Sequence, residues 1–169
     1  MKVFESTLLE LDSNLWGHYF PVPLEISDYF KKEGIKRLLC TINGTVTIHC
    51  ALTSKGDGSY FLTVGKDTRK QLKLKIGDTV HLKLEEDPSK YGMAVPEEFT
   101  ELFEFEPEAD KYFHALTPGK QRSLLYWIGQ PKTSNPRLKR ALALAEHLKA
   151  NQGKLDFKML HQLVKEIEI

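Results

Sequence analysis

The apolar positions of this chain change period once. Up to about residue 95 they alternate in short runs, and from Pro96 onward they recur at helical spacing. In the first part, Phe4 to Leu11 reads as a strand with imperfect alternation. Tyr19 to Pro23 is extended, because each proline pushes its predecessor out of the helical region. Leu24 to Lys32 is a short amphipathic helix stopped by Gly34. Lys36 to Leu52 is a hairpin with Asn43-Gly44 at its tip. Leu38, Cys40 and Ile42 alternate on one strand, and Val46, Ile48, Cys50 and Leu52 on the other. A two-residue turn would put these sets on opposite faces, so the pattern predicts a three-residue loop, Asn43-Gly44-Thr45. The same register makes Cys40 and Cys50 diagonal neighbours. Tyr60 to Val64 is a strand, Lys66 to Leu72 one or two helical turns, and Thr79 to Leu84 a strand with Val80, Leu82 and Leu84 on one face.

In the second part Pro96, Pro107, Thr117-Pro118 and Asn135-Pro136 each open a helix, since proline is pre-organised for the first helical position. Glu97 and Glu98 suit the positive end of their helix. Asp156 caps a last helix, striped by Phe157, Leu160, Leu163, Val164 and Ile167. The fold class is α+β. Residues 1–95 form a small β-barrel, and 96–169 a module of four to five helices packed on it. The connection Glu85 to Tyr91 is short and charged rather than Gly/Ser-rich, which predicts that the two parts unfold together.

Composition narrows the class without naming an activity. A chain of 169 residues, 41% apolar and 28% charged, is ordinary for a globular protein with a real core. It holds no apolar run of the ~18 residues that mark a membrane span. The acidic N-terminus lacks the apolar core of a signal peptide, so a cytoplasmic location is expected. Cys40 and Cys50 give neither metal spacing nor a disulfide framework. The six histidines are scattered, and no GxSxG, Walker loop or dinucleotide fingerprint occurs. No catalytic residue, metal or cofactor is indicated.

Charge changes the picture more. Residues 1–106 carry 13 Lys+Arg against 17 Asp+Glu, whereas 107–169 carry 11 against 6. Within the latter, Arg122 to Arg140 packs Tyr126 and Trp127 with Arg122, Lys132, Arg137, Lys139 and Arg140, and holds no acidic residue. This is the best candidate surface for a polyanion or an acidic protein. At roughly 100° per residue, Leu138, Ala141, Leu142, Leu144, Ala145 and Leu148 share one arc of their helix. Arg137 falls inside that arc, Arg140 at its edge, and Lys139 points away. Arg137 therefore serves either as a partly buried ion pair or as a fork for an anion. Arg122 and Tyr126 project away from the Leu124/Leu125/Ile128 face. Lys66 and Arg69, one turn apart after a strand, form a second candidate anion site at the barrel rim. The alternative for Arg69 is an ion pair with Asp78 or Asp87.

Several motifs in order carry a resemblance. Ile42-Asn43-Gly44, then Leu62 to Lys70 (LTVGKDTRK), then Ile76-Gly77-Asp78-Thr79-Val80 and Val95-Pro96-Glu97 resemble an uncharacterised bacterial β-barrel domain. Downstream, Phe113-x-x-Leu116, Tyr126-Trp127-Ile128 and Lys132 to Arg140 are similar to the YdeI/OmpD-associated family, also called bacteriocin-protection proteins. The resemblance implies a double-split-barrel-like domain, in outline like AbrB- and MazE-type barrels, followed by the helical region. It spans about residues 1–150 and supplies no catalytic residue. The family pattern Ala-Lys-x-x-x-Thr-Arg-x-x-Arg has Pro131 and Pro136 here in place of the alanine and the threonine. Lys132, Arg137 and Arg140 keep their spacing.

These readings favour a non-enzymatic binding protein, with the stress- or envelope-protection role that the resemblance implies. A DNA- or RNA-associated regulator and an enzyme or binder acting on a small anion are the alternatives. The sequence is compatible with a homo-oligomer.

Overall fold

The computed structural model describes residues 1–11 and 17–169, which divide into two compact units, 1–92 and 93–169. Trp16, with the rest of 12–16, lies outside the described residues.

The first unit runs β1 (Lys2–Thr7), β2 (Leu9–Glu10), β3 (His18–Val22), α1 (Leu24–Lys32), β4 (Leu38–Ile42), β5 (Val46–Cys50), β6 (Thr53–Ser54), β7 (Tyr60–Thr63), α2 (Lys66–Gln71) and β8 (Thr79–Glu86). The strands form two antiparallel four-stranded sheets, ordered β1-β8-β4-β5 and β2-β3-β7-β6. The imperfect alternation of the first strand now has a cause. Leu8 breaks it in two and carries the chain from one sheet to the other. It is fully buried; its N–H donates to Asp78 O at 2.9 Å, and its carbonyl accepts from Gly77 N at 2.8 Å.

Among the described residues no closed barrel forms. Ser6 Oγ donates to Pro21 O at 2.7 Å across the gap between β1 and β3, but no ladder joins these strands. Pro21 has no N–H with which to build one. The two sheets instead share one core, where Leu38, Cys40, Ile42, Val80, Leu82 and Leu84 meet Phe20, Val22 and Leu62, with Ile26 and Phe30 of α1.

The hairpin has the three-residue loop. Ile42 pairs with Val46, Cys40 with Ile48 and Leu38 with Cys50. Asn43 and Gly44 take φ of 48° and 66°, the left-handed region that this dipeptide tolerates, and Thr45 N donates to Ile42 O at 3.0 Å. Leu38, Cys40 and Ile42 are fully buried, whereas Val46 and Ile48 are half-buried, because β5 is the sheet's edge strand.

After β8 the chain is held against β4 and β5. Asp87, whose side chain is wholly buried, accepts from Ser89 N at 2.9 Å and lies 2.7 Å from His49 Nδ1. Burial pushes the Asp87 carboxyl up, but the His49 and Ser89 hydrogen bonds more than offset this and leave it below the usual range. Arg37 Nη2 donates to Gly92 O at 2.7 Å. Gly92 is required here. Its φ is +71°, and a Cβ would meet Arg37 Nε at 2.6 Å.

The second unit is helical: α3 (Glu97–Glu104), α4 (Pro107–Ala115), α5 (Pro118–Gly129), α6 (Ser134–Ala150) and α7 (Phe157–Glu166). Each of the predicted proline starts falls at or within the first turn of its helix. Thr117 Oγ1 accepts from Lys120 N at 3.4 Å, and Asp156 Oδ1 accepts from Met159 N at 3.0 Å, which caps α5 and α7. The long α6 contacts the other four helices. Phe99, Phe103 and Phe113 cluster with ring centroids 4.2 to 5.8 Å apart beside it. Lys149 bridges Glu106 at 2.9 Å and Glu146 at 2.7 Å, and these partners raise it to about 12. No described helix is long and apolar enough to cross a membrane.

Candidate functional site

The basic segment of the second unit forms the joint between α5 and α6. The buried arc of α6 is wider than its leucines alone indicate. It includes Ala143 and His147, while Leu138 and Leu142 are only partly covered. That widening places Arg140 inside the arc rather than at its edge, and leaves Lys139 half-buried rather than pointing clear of the protein.

Arg137 and Arg140 have different partners. Arg137 Nε donates to Thr133 O at 3.2 Å, and Nη2 lies 3.4 Å from Lys132 O. Nε is also 3.6 Å from Glu98 Oε1, the separation of an ion pair rather than a hydrogen bond. The Glu98 side chain is only 11% exposed. A hydrogen bond from Ser134 holds its carboxyl below the usual range against the opposing effect of burial, and the Arg137 charge adds to this. Arg137 therefore ties the α5–α6 loop to α3.

Among the described residues Arg140 has no carboxylate partner. Its Nη1 donates to Trp127 O and reaches Gln130 Oε1 at 3.2 Å. Trp127 O belongs to the last turn of α5, whose carbonyls have no partner within the helix and attract a cation. The guanidinium also lies over the indole of Trp127, 5.1 Å from the ring centre. Partial burial draws the Arg140 pKa down, and no anion among the described residues offsets this. The third member of this group is His161 of α7, whose ring is 5.4 Å from that of Trp127 and tilted by 32°.

Arg122, Tyr126, Lys132 and Lys139 surround the joint. Arg122 and Tyr126 stand one turn apart on α5, and Tyr126 is 64% exposed. None of the four has a side-chain hydrogen bond or an ion pair among the described residues. No acidic residue occurs between Asp110 and Glu146.

Lys66 and Arg69 belong to the first unit, on α2. Neither Asp78 nor Asp87 pairs with Arg69. Asp78 Oδ2 accepts from Lys75 N at 2.7 Å, and Asp87 is engaged with His49. Arg69 Nε is buried without a hydrogen-bond partner, as is His18 Nδ1.

Sequence reasoning missed His161 as a neighbour of Trp127, and His147 as a core residue. His147 is 2% exposed; its Nε2 accepts from Asp156 N at 3.0 Å, and Asn151 Nδ2 lies 3.2 Å from its Nδ1. His147 lies in step with Ala143 and Leu144 and could have been counted in the arc. Nothing in the spacing of Trp127 and His161, which sit on separate helices, signalled their contact. No group of three or more His, Cys, Asp or Glu among the described residues is placed to hold a metal ion.

Residues 4–84 match the family model described as a domain of unknown function (DUF1905). Residues 93–151 match the model described as "Bacteriocin-protection, YdeI or OmpD-Associated" (OmdA). No curated protein matches the chain.

Proposed function

We propose that this chain, which joins a DUF1905 domain to a YdeI/OmpD-associated domain, is a non-enzymatic binding protein that docks an anionic partner on the α5–α6 joint. The observation that carries this reading is Arg140. It is partly desolvated, rests on Trp127, and is hydrogen-bonded only to uncharged oxygens. An incoming carboxylate or phosphate supplies the counter-charge that the fold does not. Arg122 and Lys132 flank it without ion pairs and extend the field, and the exposed ring of Tyr126 adds contact area. Arg137 is the exception within the segment. Its charge is engaged by Glu98, so its role is to hold the joint.

The matched family is described by bacteriocin protection.

The test is titration with a single-stranded oligodeoxynucleotide and with polyglutamate at low and moderate salt. Binding that weakens steeply with salt, and weakens further in Lys132→Glu and Arg122→Glu, supports the reading. A preference for the oligonucleotide points to a nucleic-acid partner, and a preference for polyglutamate to an acidic protein. Absence of binding to either at low salt overturns it.

A further inference from the structure

We infer that α7 is a displaceable cover on the aromatic part of this surface. The inference rests on the binding reading above and adds its regulation. The family match ends at residue 151, so α7 lies outside it. Of the helix only Leu160 is fully buried, with Leu163 and Val164 half-buried against α6, and Phe157 and Met159 remain 48% and 53% exposed. Its start is held by His147, which accepts the Asp156 N–H at 3.0 Å. On its other flank the His161 ring lies tilted against Trp127, the same indole that carries Arg140.

An indole with a guanidinium beside it is a platform for a planar ligand with negative charge nearby, such as a base and phosphate of single-stranded nucleic acid. His161 already occupies indole surface that such a ring would use. The tilted ring contact has no hydrogen bond among the described residues to hold it, so a ligand ring can replace it at small cost. Displacing α7 would uncover the face of the indole that His161 meets, beside the guanidinium of Arg140.

The experiment uses the full chain with Trp16→Phe, so that Trp127 is the remaining tryptophan. Iodide quenching of its fluorescence reports access to the indole, and an oligothymidylate titration reports binding. We expect His161→Ala to raise quenching and to tighten oligothymidylate binding roughly two- to tenfold, the worth of one aromatic contact. His161→Phe keeps a ring on the indole, and both readouts should stay at the parent's level. Since both variants remove the imidazole, their difference reports the ring and not its charge. If quenching is unchanged in His161→Ala, α7 is not a cover and the inference falls, while the binding reading is untouched. If quenching rises but binding does not tighten, the inference also falls, and the reading stands on the parent's salt-dependent binding. If quenching rises and no form binds polyanions at low salt, it is the binding reading that has failed, and the inference falls with it.

Discussion

Arg137 and Glu98 face each other at 3.6 Å across α6 and α3, and the pair turns a residue with an anion-binding appearance into a brace. Glu98 Oε2 is buried without a hydrogen-bond partner, so the carboxylate depends on Ser134 and Arg137 for its charge. Its folded pKa lies below the unfolded value. The stabilisation is therefore present above the ordinary carboxylate range and is lost as pH falls through the lower, folded value. Glu98→Gln should be less stable than the parent at neutral pH, and the difference should shrink as the pH falls below the ordinary carboxylate range. Arg137→Met should cost about 1–3 kcal/mol at neutral pH. Denaturant melts of each variant across pH 2–7 check both statements. A pH-independent difference would show that Glu98 acts through packing alone.

The Asp87–His49 pair makes a parallel prediction for the first unit. Asp87 is wholly buried, and its hydrogen bonds hold it ionised against burial. Asp87→Ala leaves His49 Nδ1 and Ser89 N without their acceptor and should cost about 1–3 kcal/mol at neutral pH. Because the folded pKa is depressed, the parent should lose this advantage as pH drops below the ordinary carboxylate range. Amide exchange should also accelerate at Ser89. Exchange that matches the parent would mean the bond does not hold this segment.

How much of this was legible in the chain depends on how local the cause is. The loop Asn43-Gly44-Thr45 could be read because two alternating apolar sets must share a face, a constraint that lies within fifteen residues. The helix starts could be read because proline acts at one position. The open sheets could not. Whether β1 and β3 join depends on Pro21 meeting Ser6, a tertiary juxtaposition that no period records. The same holds at the candidate site. The basic segment was plain, but which of its arginines has a carboxylate depends on α3 lying against α6. Glu98 read only as a good N-terminal residue of its own helix.

The thiols should be inert. Proximity of the Cys40 thiol, with burial, pushes the Cys50 thiol upward, and both side chains lie in the core. The thiolate is the reactive form, so an aromatic disulfide reagent should find no reactive cysteine in the native protein at pH 8 and two after denaturation. Rapid native labelling would show that this sheet opens easily, and would count against the core as described.

Arg140 is predicted to serve stability and binding through different atoms, and two substitutions separate these roles. Its Nη1 satisfies Trp127 O, a helix-end carbonyl, while the positive charge has no anionic partner among the described residues. Arg140→Met removes both. The carbonyl loses its donor, which should cost about 1–3 kcal/mol, and binding of oligothymidylate or polyglutamate should weaken at low salt. Arg140→Lys keeps the charge but lacks the planar fork that reaches Trp127 O and Gln130 together. It should lose part of the stability and keep most of the low-salt affinity, with a salt slope close to that of the parent. The measurements are thermal unfolding of each variant and polyanion titration at three salt concentrations. A Met variant that is destabilised but binds like the parent would make Arg140 a cap and nothing more. The binding surface would then reduce to Arg122, Tyr126 and Lys132, which Arg122→Glu and Lys132→Glu test independently.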